Sequence, residues 1–322
     1  MKINYFDKKN RLIPHGIMFH HFHYEDDRPY AQGSITSLEF QQIIEHIGVK
    51  NILSADIWLE KAINNELREK EVCITFDDSL KCQMDIAYPI LEKYNIDAFW
   101  FVFSSVFNGK INLLEVYKYF YNMFFPNFET FYSTFKEYFT KSDIGYMYEE
   151  NYNLFMQSNY LIEFDFYSEK EREFRFYRDR IINDENFKTI MGSIMVDYDI
   201  DINIISKNLW MNEEDLKILN SNNQIIGLHS HTHPTNMAQL DIGKQKEEYT
   251  SNKEYISSVT CKDPLTVSHP CGSYNNATLK VLNELGIKIG FRSNFEKLSH
   301  TTMEFPRVDH SYLMQELNQK RG

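Results

Sequence analysis

The sequence predicts an α/β fold built on parallel strands, a closed or nearly closed β/α barrel. Short apolar runs alternate with amphipathic stretches of ten or so residues, as parallel strands joined by crossover helices do. Roughly seven such runs favour closure over an open doubly wound sheet, which stays as the alternative. Polar clusters directly follow four of the runs, where parallel strands carry their functional residues.

In order along the chain, "GIMF" (16–19) reads as a strand and "TSLEFQQIIEHIG" (36–48) as a helix. Thr36 and Glu39 have capping-box spacing, and Gly48 suits the helix stop. "EVCITF" (71–76) is a buried strand, "QMDIAYPILEKYN" (83–95) a helix with Pro89 inside it, and "DAFWFVF" (97–103) another buried strand. The alternation resumes with a helix at 212–222 and the strand "QIIGLH" (224–229). A helix through roughly 240–258, the strand "LTVSH" (265–269), the helix "NATLKVLNELG" (276–286) and the strand "KIGFRS" (288–293) follow. Residues 1–103 and 212–322 are thus expected to form the barrel. Residues 104–211 break the pattern. Their Phe and Tyr at helical spacing, as in "VYKYFYNMFF", predict a mostly helical insertion with its own aromatic core. Leaving from a strand's C-terminal end, it is expected to overhang the barrel mouth and to offer a surface through which subunits could pair, with a distal structural appendage as the alternative.

Composition narrows the function. The chain has 322 residues, 43% of them hydrophobic, and a formal net charge of −12. Without a Lys/Arg-rich run, a nucleic-acid partner is not expected. No apolar stretch is long enough to span a bilayer. The start, "MKINYFDKKNRLIPHG", lacks the apolar core of a secretory signal. Cys73, Cys82, Cys261 and Cys271 make no CxxC pair. A reducing, cytoplasmic compartment is the expectation.

Two stretches carry chemistry. "FDDSL" (76–80) places Asp77 and Asp78 side by side at the end of a buried strand. Turn formation or helix capping would explain the pair; so would a cation resolving the repulsion. "HSHTHP" (229–234) sets His229 and His233 four apart at another strand end. Two histidines and a carboxylate with open positions form a catalytic zinc arrangement. Asp78 could complete it, leaving Asp77 free as a base.

"TFDDS" followed at a distance by "HSHTHP" resembles the polysaccharide deacetylase family, carbohydrate esterase family 4, with its NodB-like domain. The family's motifs read "TFDDG" and "H-[ST]-x-x-H-P", on a distorted β/α barrel. The resemblance covers about 16–103 and 212–309. It implies a hydrolase that removes N- or O-acetyl groups from sugars with a divalent metal. Zn2+ is the default, and Co2+, Ni2+ or Fe2+ fit similar ligands. Residue by residue, it makes Asp77 the base and Asp78, His229 and His233 the ligands. His231 falls between ligands and is not counted among them. "SHPCGSYN" (268–275) is similar to the third motif, which implies an oxyanion donor in the backbone N–H of Cys271; Cys271 as nucleophile is the competing reading.

The sequence departs from the family at several places. Ser79 stands at the glycine of the first motif. The third motif's arginine, which orients the base, is missing at Ser268; Arg307 in "FPRVD" is the favoured substitute and Arg292 the other candidate. The C-terminal histidine that serves as general acid is absent. Some members carry it on the first strand in a "YHxV" pattern, which makes His20 in "IMFHHFH" the match and His21 and His23 its rivals. The resulting expectation is an amino-sugar N-deacetylase acting on a precursor of a surface glycan such as lipopolysaccharide or capsule. A hydrolase of a non-sugar amide and a metal-free scaffold relative are the rival readings.

Overall fold

A computed structural model describes residues 13–162, 167–295 and 301–321. These form two compact units. One comprises 13–27, 33–111 and 209–321; the other comprises 28–32 and 112–208.

The elements run β1 (His15–Phe19), α1 (Ser37–Ile47), α2 (Ala55–Ile63), β2 (Val72–Phe76), α3 (Tyr88–Tyr94) and β3 (Phe99–Val102). Six helices follow: α4 (Leu113–Phe124), α5 (Phe128–Lys141), α6 (Tyr146–Ser158), α7 (Glu169–Phe176), α8 (Asp184–Asp197) and α9 (Ile202–Leu209). Then come α10 (Glu213–Ser221), β4 (Ile225–Leu228), α11 (Ile242–Thr260), β5 (Thr266–Ser268), α12 (Asn276–Glu284), β6 (Ile289–Phe291), β7 (Arg307–Asp309) and α13 (His310–Arg321).

The seven strands form one parallel sheet in the order β6-β5-β4-β3-β2-β1-β7. The two edges all but meet. The amide of Phe305 donates to the carbonyl of Gly290 at 2.8 Å, and that of Arg292 to the carbonyl of Phe305 at 2.9 Å. The expected near-closed barrel is therefore the architecture, and its closing strand β7 is one the apolar pattern does not announce. Three residues with a charge at each end carry no recognisable run.

Strand alternation divides the core in two. Ile17, Phe19, Ile74, Phe76, Trp100, Val102, Leu228, Val267 and Val308 face the surrounding helices. Cys73, Phe99, Phe101, Ile289 and Phe291 pack on the other side with Trp58 of α2. The chain leading into α2 hydrogen-bonds at the N-terminal ends of β2 and β3, through Leu53 to Val72 and Ala55 to Asp97. Trp58, 5.1 Å from Phe291 and 4.8 Å from Phe305 between ring centres, thus plugs that end of the barrel with aromatic surface. Buried polar residues include Thr75, Asp77, Ser268 and Arg307, which lie together, and Thr266 at the start of β5.

The capping box at α1 forms as its spacing predicts, and Gly48 ends the helix at φ 84°. The helix expected over 83–95 forms, its first part as a π turn (Gln83–Ala87) running directly into α3, with Pro89 in the first turn of α3. Proline has no N–H to give to the preceding turn, and a helix start requires none. The π turn has a consequence at the site described below.

In the second unit, the aromatic residues form the interior. Phe131, Phe135 and Phe139 of α5 and Phe174 of α7 are buried, with Phe135 and Phe174 ring centres 4.9 Å apart. Glu173 is buried there as well and accepts the Tyr148 hydroxyl.

Gly227 in β4 has no room for a side chain. A Cβ there would lie 2.3 Å from Thr266 Oγ1 and 2.7 Å from the Phe101 ring. Gly227→Ala should destabilise the barrel by roughly 1–3 kcal/mol through overpacking, measured as a lower urea midpoint at unchanged m-value.

Candidate metal and catalytic site

The loops that follow β1, β2 and β4 bring His20, Asp77, Asp78, His229 and His233 together. Nε2 of His229 and Nε2 of His233 each lie 3.3 Å from Asp78 Oδ1. The three ligand atoms lie within 4.8 Å of one another. His20 Nε2 stands 3.9 Å from Asp78 Oδ2.

The donor chemistry of this triad suits a cation. Nδ1 of His229 is 2.8 Å from the Ser268 carbonyl, which can only accept, so Nδ1 carries the proton of a neutral ring. Nε2 then turns a lone pair toward a carboxylate. Asp78 Oδ1 is itself buried and has no hydrogen-bond partner. Lone pairs converging on an unpaired carboxylate oxygen repel, and a divalent ion between them removes the repulsion. Asp78, His229 and His233 therefore fit a metal.

Electrostatics without an ion shows the same tension. Burial would raise the Asp78 carboxyl, but His233, His229 and His20 together hold it well below the usual carboxylate range. Burial pulls His229 down, and the carboxylates of Asp77 and Asp78 overcome it and push it up. For His233 burial wins, and its pKa is lowered.

Asp77 has a different environment. Arg307, 1% exposed, grips it with two parallel bonds of 2.7 Å, Nη1 to Oδ1 and Nη2 to Oδ2. The Ser268 hydroxyl donates to Oδ2 at 2.9 Å and accepts from Arg307 at 2.7 Å. Burial opposes ionisation, yet Arg307 and His229 bring the Asp77 pKa down to about 2. A carboxylate offers about four acceptor sites; the three bonds leave room for one more donor. Of the two candidate arginines, Arg307 is the one that reaches Asp77. Arg292 contributes its carbonyl, which accepts from Arg307 Nε at 2.7 Å. The small Ser268 beside Asp77 leaves space for the guanidinium arriving from β7.

The remaining candidates fall as follows. His23 pairs with Ser34 at 3.0 Å, and His21 is buried. His231 pairs with the Ser104 hydroxyl at 2.9 Å and stays out of the triad. His269, after β5, is buried with Nε2 on the Met303 carbonyl, and burial lowers its pKa to about 4. Cys271 is exposed and takes φ 52° in the turn Pro270–Gly272. The motif glycine beside it, Gly272, has φ 66°, and a Cβ there would sit 2.3 Å from Ser293 Oγ.

Left-handed backbone gathers in these loops, at Asp78 (φ 76°), Ser79 (58°), Ser230 (63°), His233 (57°) and Cys271 (52°). Each costs a non-glycine residue about 1–2 kcal/mol, and such strain persists where surrounding contacts over-determine it. Ser79 thus holds a left-handed conformation that glycine adopts without a Cβ penalty.

Several supporting residues escape sequence reasoning. Gln83, at the start of the π turn, donates to the carbonyls of His20 (2.8 Å) and Asp77 (2.6 Å) and so ties the ends of β1 and β2 together. Glu248 and Asn252 of α11 hold the loop after β4. A lone polar residue in a helix has no spacing signal that could reveal such a role.

Arg307→Ala would leave Asp77 ionised and unpaired in the barrel. A loss of about 3–5 kcal/mol in unfolding free energy is expected, whereas Arg292→Ala should leave the Asp77 pair intact. Chemical denaturation of the two variants checks the contrast.

Residues 197–290 match the sequence model of the family described as Polysaccharide deacetylase. No curated protein sequence matches the chain. Among solved structures, the fold is similar to the Streptococcus pyogenes deacetylase PplD in complex with acetate. Identity is 17%, the TM-score is 0.54, and the match covers 94% of this chain and 96% of that one. A de-N-acetylase from Aggregatibacter actinomycetemcomitans is 14% identical at TM-score 0.54, over 92% and 94% of the two chains. IcaB from Ammonifex degensii is 12% identical at TM-score 0.53, over 92% and 91%. The chain thus matches the family model over residues 197–290 and is similar in fold to these deacetylases over nearly its whole length.

Proposed function

We propose that the protein is a metal-dependent hydrolase that removes an N-acetyl or other N-acyl group from an amino-sugar. A precursor in surface glycan assembly, lipopolysaccharide or capsule, is the proposed substrate setting. The observation that carries the reading is the convergence of Asp78, His229 and His233 around an unpaired buried carboxylate oxygen, with Asp77 alongside. The names of similar structures, a deacetylase and a de-N-acetylase, support the reaction class. No helix among the described residues is long and apolar enough to cross a membrane.

In this reading Asp78, His229 and His233 hold one divalent ion, with Zn2+ first among the candidates. When bound, the ion supplies a Lewis acid that polarises the acyl carbonyl and acidifies water at the site. Arg307 and Ser268 keep Asp77 ionised and fix its orientation, so that its remaining acceptor site can take the proton of an attacking water. A base with so low a pKa is weak; its contribution is placement and immediate hand-on of the proton rather than thermodynamic pull. His20, whose Nε2 lies 3.9 Å from Asp78 Oδ2, is assigned the proton for the leaving nitrogen, which departs poorly as an amide anion. The backbone N–H of Cys271 is assigned to the developing oxyanion, a role that does not depend on its side chain.

The two aspartates should separate cleanly. Asp78→Asn is expected to lose both bound Zn2+ and turnover. Asp77→Asn should keep the metal and lose at least about a hundredfold in kcat, the scale of a missing general base. Metal analysis beside deacetylation of an N-acetylated amino-sugar oligomer tests this; an Asp77→Asn enzyme of near wild-type rate would remove Asp77 as base.

His20→Ala should slow amide cleavage far more than cleavage of an activated ester, whose leaving group needs little protonation. Equal losses on both substrates, or a larger selective loss in His21→Ala or His23→Ala, would move the acid elsewhere.

A further inference from the structure

The loop between the two candidate histidine ligands is held by a carboxylate that no motif contains. Oε2 of Glu248 accepts the backbone N–H groups of His231 (2.9 Å) and Thr232 (2.7 Å). Its other oxygen, Oε1, accepts the Thr232 hydroxyl at 2.6 Å. One helical turn further along α11, Asn252 accepts the N–H of His229 at 2.9 Å and donates to the Val102 carbonyl of β3 at 2.9 Å. Residues four apart on a helix share a face, so one side of α11 addresses both the start and the middle of the loop.

The loop needs such an anchor. It contains two left-handed non-glycine residues, Ser230 and His233, flanking the gripped peptides. Inside the loop, the amide of His233 donates to Ser230 Oγ at 3.1 Å, and the carbonyl of His231 accepts from the amide of Ser105 at 2.8 Å. Without Glu248, the adjacent N–H groups of His231 and Thr232 lose their charged acceptor, and the strained path between the ligands is free to relax. Charge-assisted bonds of this type are roughly twice as strong as neutral ones.

We propose that Glu248 is a positioning residue that sets the affinity of the metal site by fixing the backbone between His229 and His233, with Asn252 supporting it. The proposal rests on the metal reading above. It adds that this affinity is governed from α11, by a residue that touches neither metal nor substrate.

The test compares Glu248→Ala, Glu248→Gln and the exposed neighbour Glu247→Ala in the full chain. Zn2+ affinity is measured by competition with a chromophoric chelator. Amide hydrogen exchange of the 229–234 segment is followed in the metal-free protein, alongside Tm. Glu248→Ala should weaken Zn2+ by about 10- to 100-fold, the range for lost outer partners of metal ligands, with faster loop exchange and an intact barrel. Glu248→Gln should restore most of the affinity: its carbonyl can take both N–H groups while its amide faces the Thr232 hydroxyl. Glu247→Ala should match wild type. Unchanged affinity and exchange in Glu248→Ala overturns the proposal. So does a loss of affinity that only accompanies general unfolding and is not rescued by glutamine. A wild-type chain that takes up no Zn2+ removes the metal reading and the affinity claim with it; faster loop exchange in Glu248→Ala would then leave only the clamp on the backbone.

Discussion

The interior ion pair between Arg307 and Asp77 is the interaction on which the rest of the barrel depends. All five N–H donors of the guanidinium group are used: on Asp77 twice, on Thr75, on Ser268 and on the carbonyl of Arg292. These partners come from β2, β5 and the end of β6, while Arg307 itself belongs to β7. One side chain thus links the closing strand to three others across the interior. Its stem runs over Gly16 of β1, where a Cβ would lie 3.1 Å from Arg307 Cγ. Burying two charges is expensive, and full hydrogen bonding of the guanidinium is what makes it tolerable. The aromatic plug around Trp58 fills the opposite end, so the charged layer is confined to the end that carries the candidate site.

That layer also explains why two adjacent carboxylates coexist. Asp77 and Asp78 are consecutive but face different partners. Asp77 is neutralised by a fixed protein cation. Asp78 faces two imidazoles whose arrangement calls for a mobile one. A sharp left-handed turn at Asp78 and Ser79 separates the two side chains. Repulsion between neighbours is thereby resolved twice, once by the fold and once, in the proposed function, by a metal ion. The backbone strain in the loops after β2, β4 and β5 belongs with this arrangement, since loops that aim side chains inward at one point cannot all follow relaxed paths.

Much of this was legible in the sequence. Strand–helix alternation gave a parallel barrel, because buried parallel strands must be apolar on both faces and crossover helices amphipathic. "FDDS" and "HSHTHP" stood at strand ends, and the capping box at Thr36 and Glu39 fixed the start of α1. Less was legible where a side chain acts through contacts distant in sequence. α2, β7 and α13 carry no pattern strong enough to announce them, and nothing in the helix expected over 83–95 announces the π turn at its start, where Gln83 reaches the carbonyls of His20 and Asp77.

By itself, the sequence determined the barrel, the two motif loops and the residue types available at its mouth, because periodicity and local turn chemistry are written in neighbouring residues. Only the tertiary structure decided which arginine holds Asp77: Arg307, at the start of β7, sets its guanidinium on the carboxylate, while Arg292, just past β6, offers its backbone carbonyl to Arg307. It likewise decided that His231 and His269 turn away while His20 approaches Asp78. It gave Glu248 and Asn252 their places behind the histidine loop. Each of these outcomes depends on distances between residues far apart in the chain, and such distances exist only once the barrel has closed.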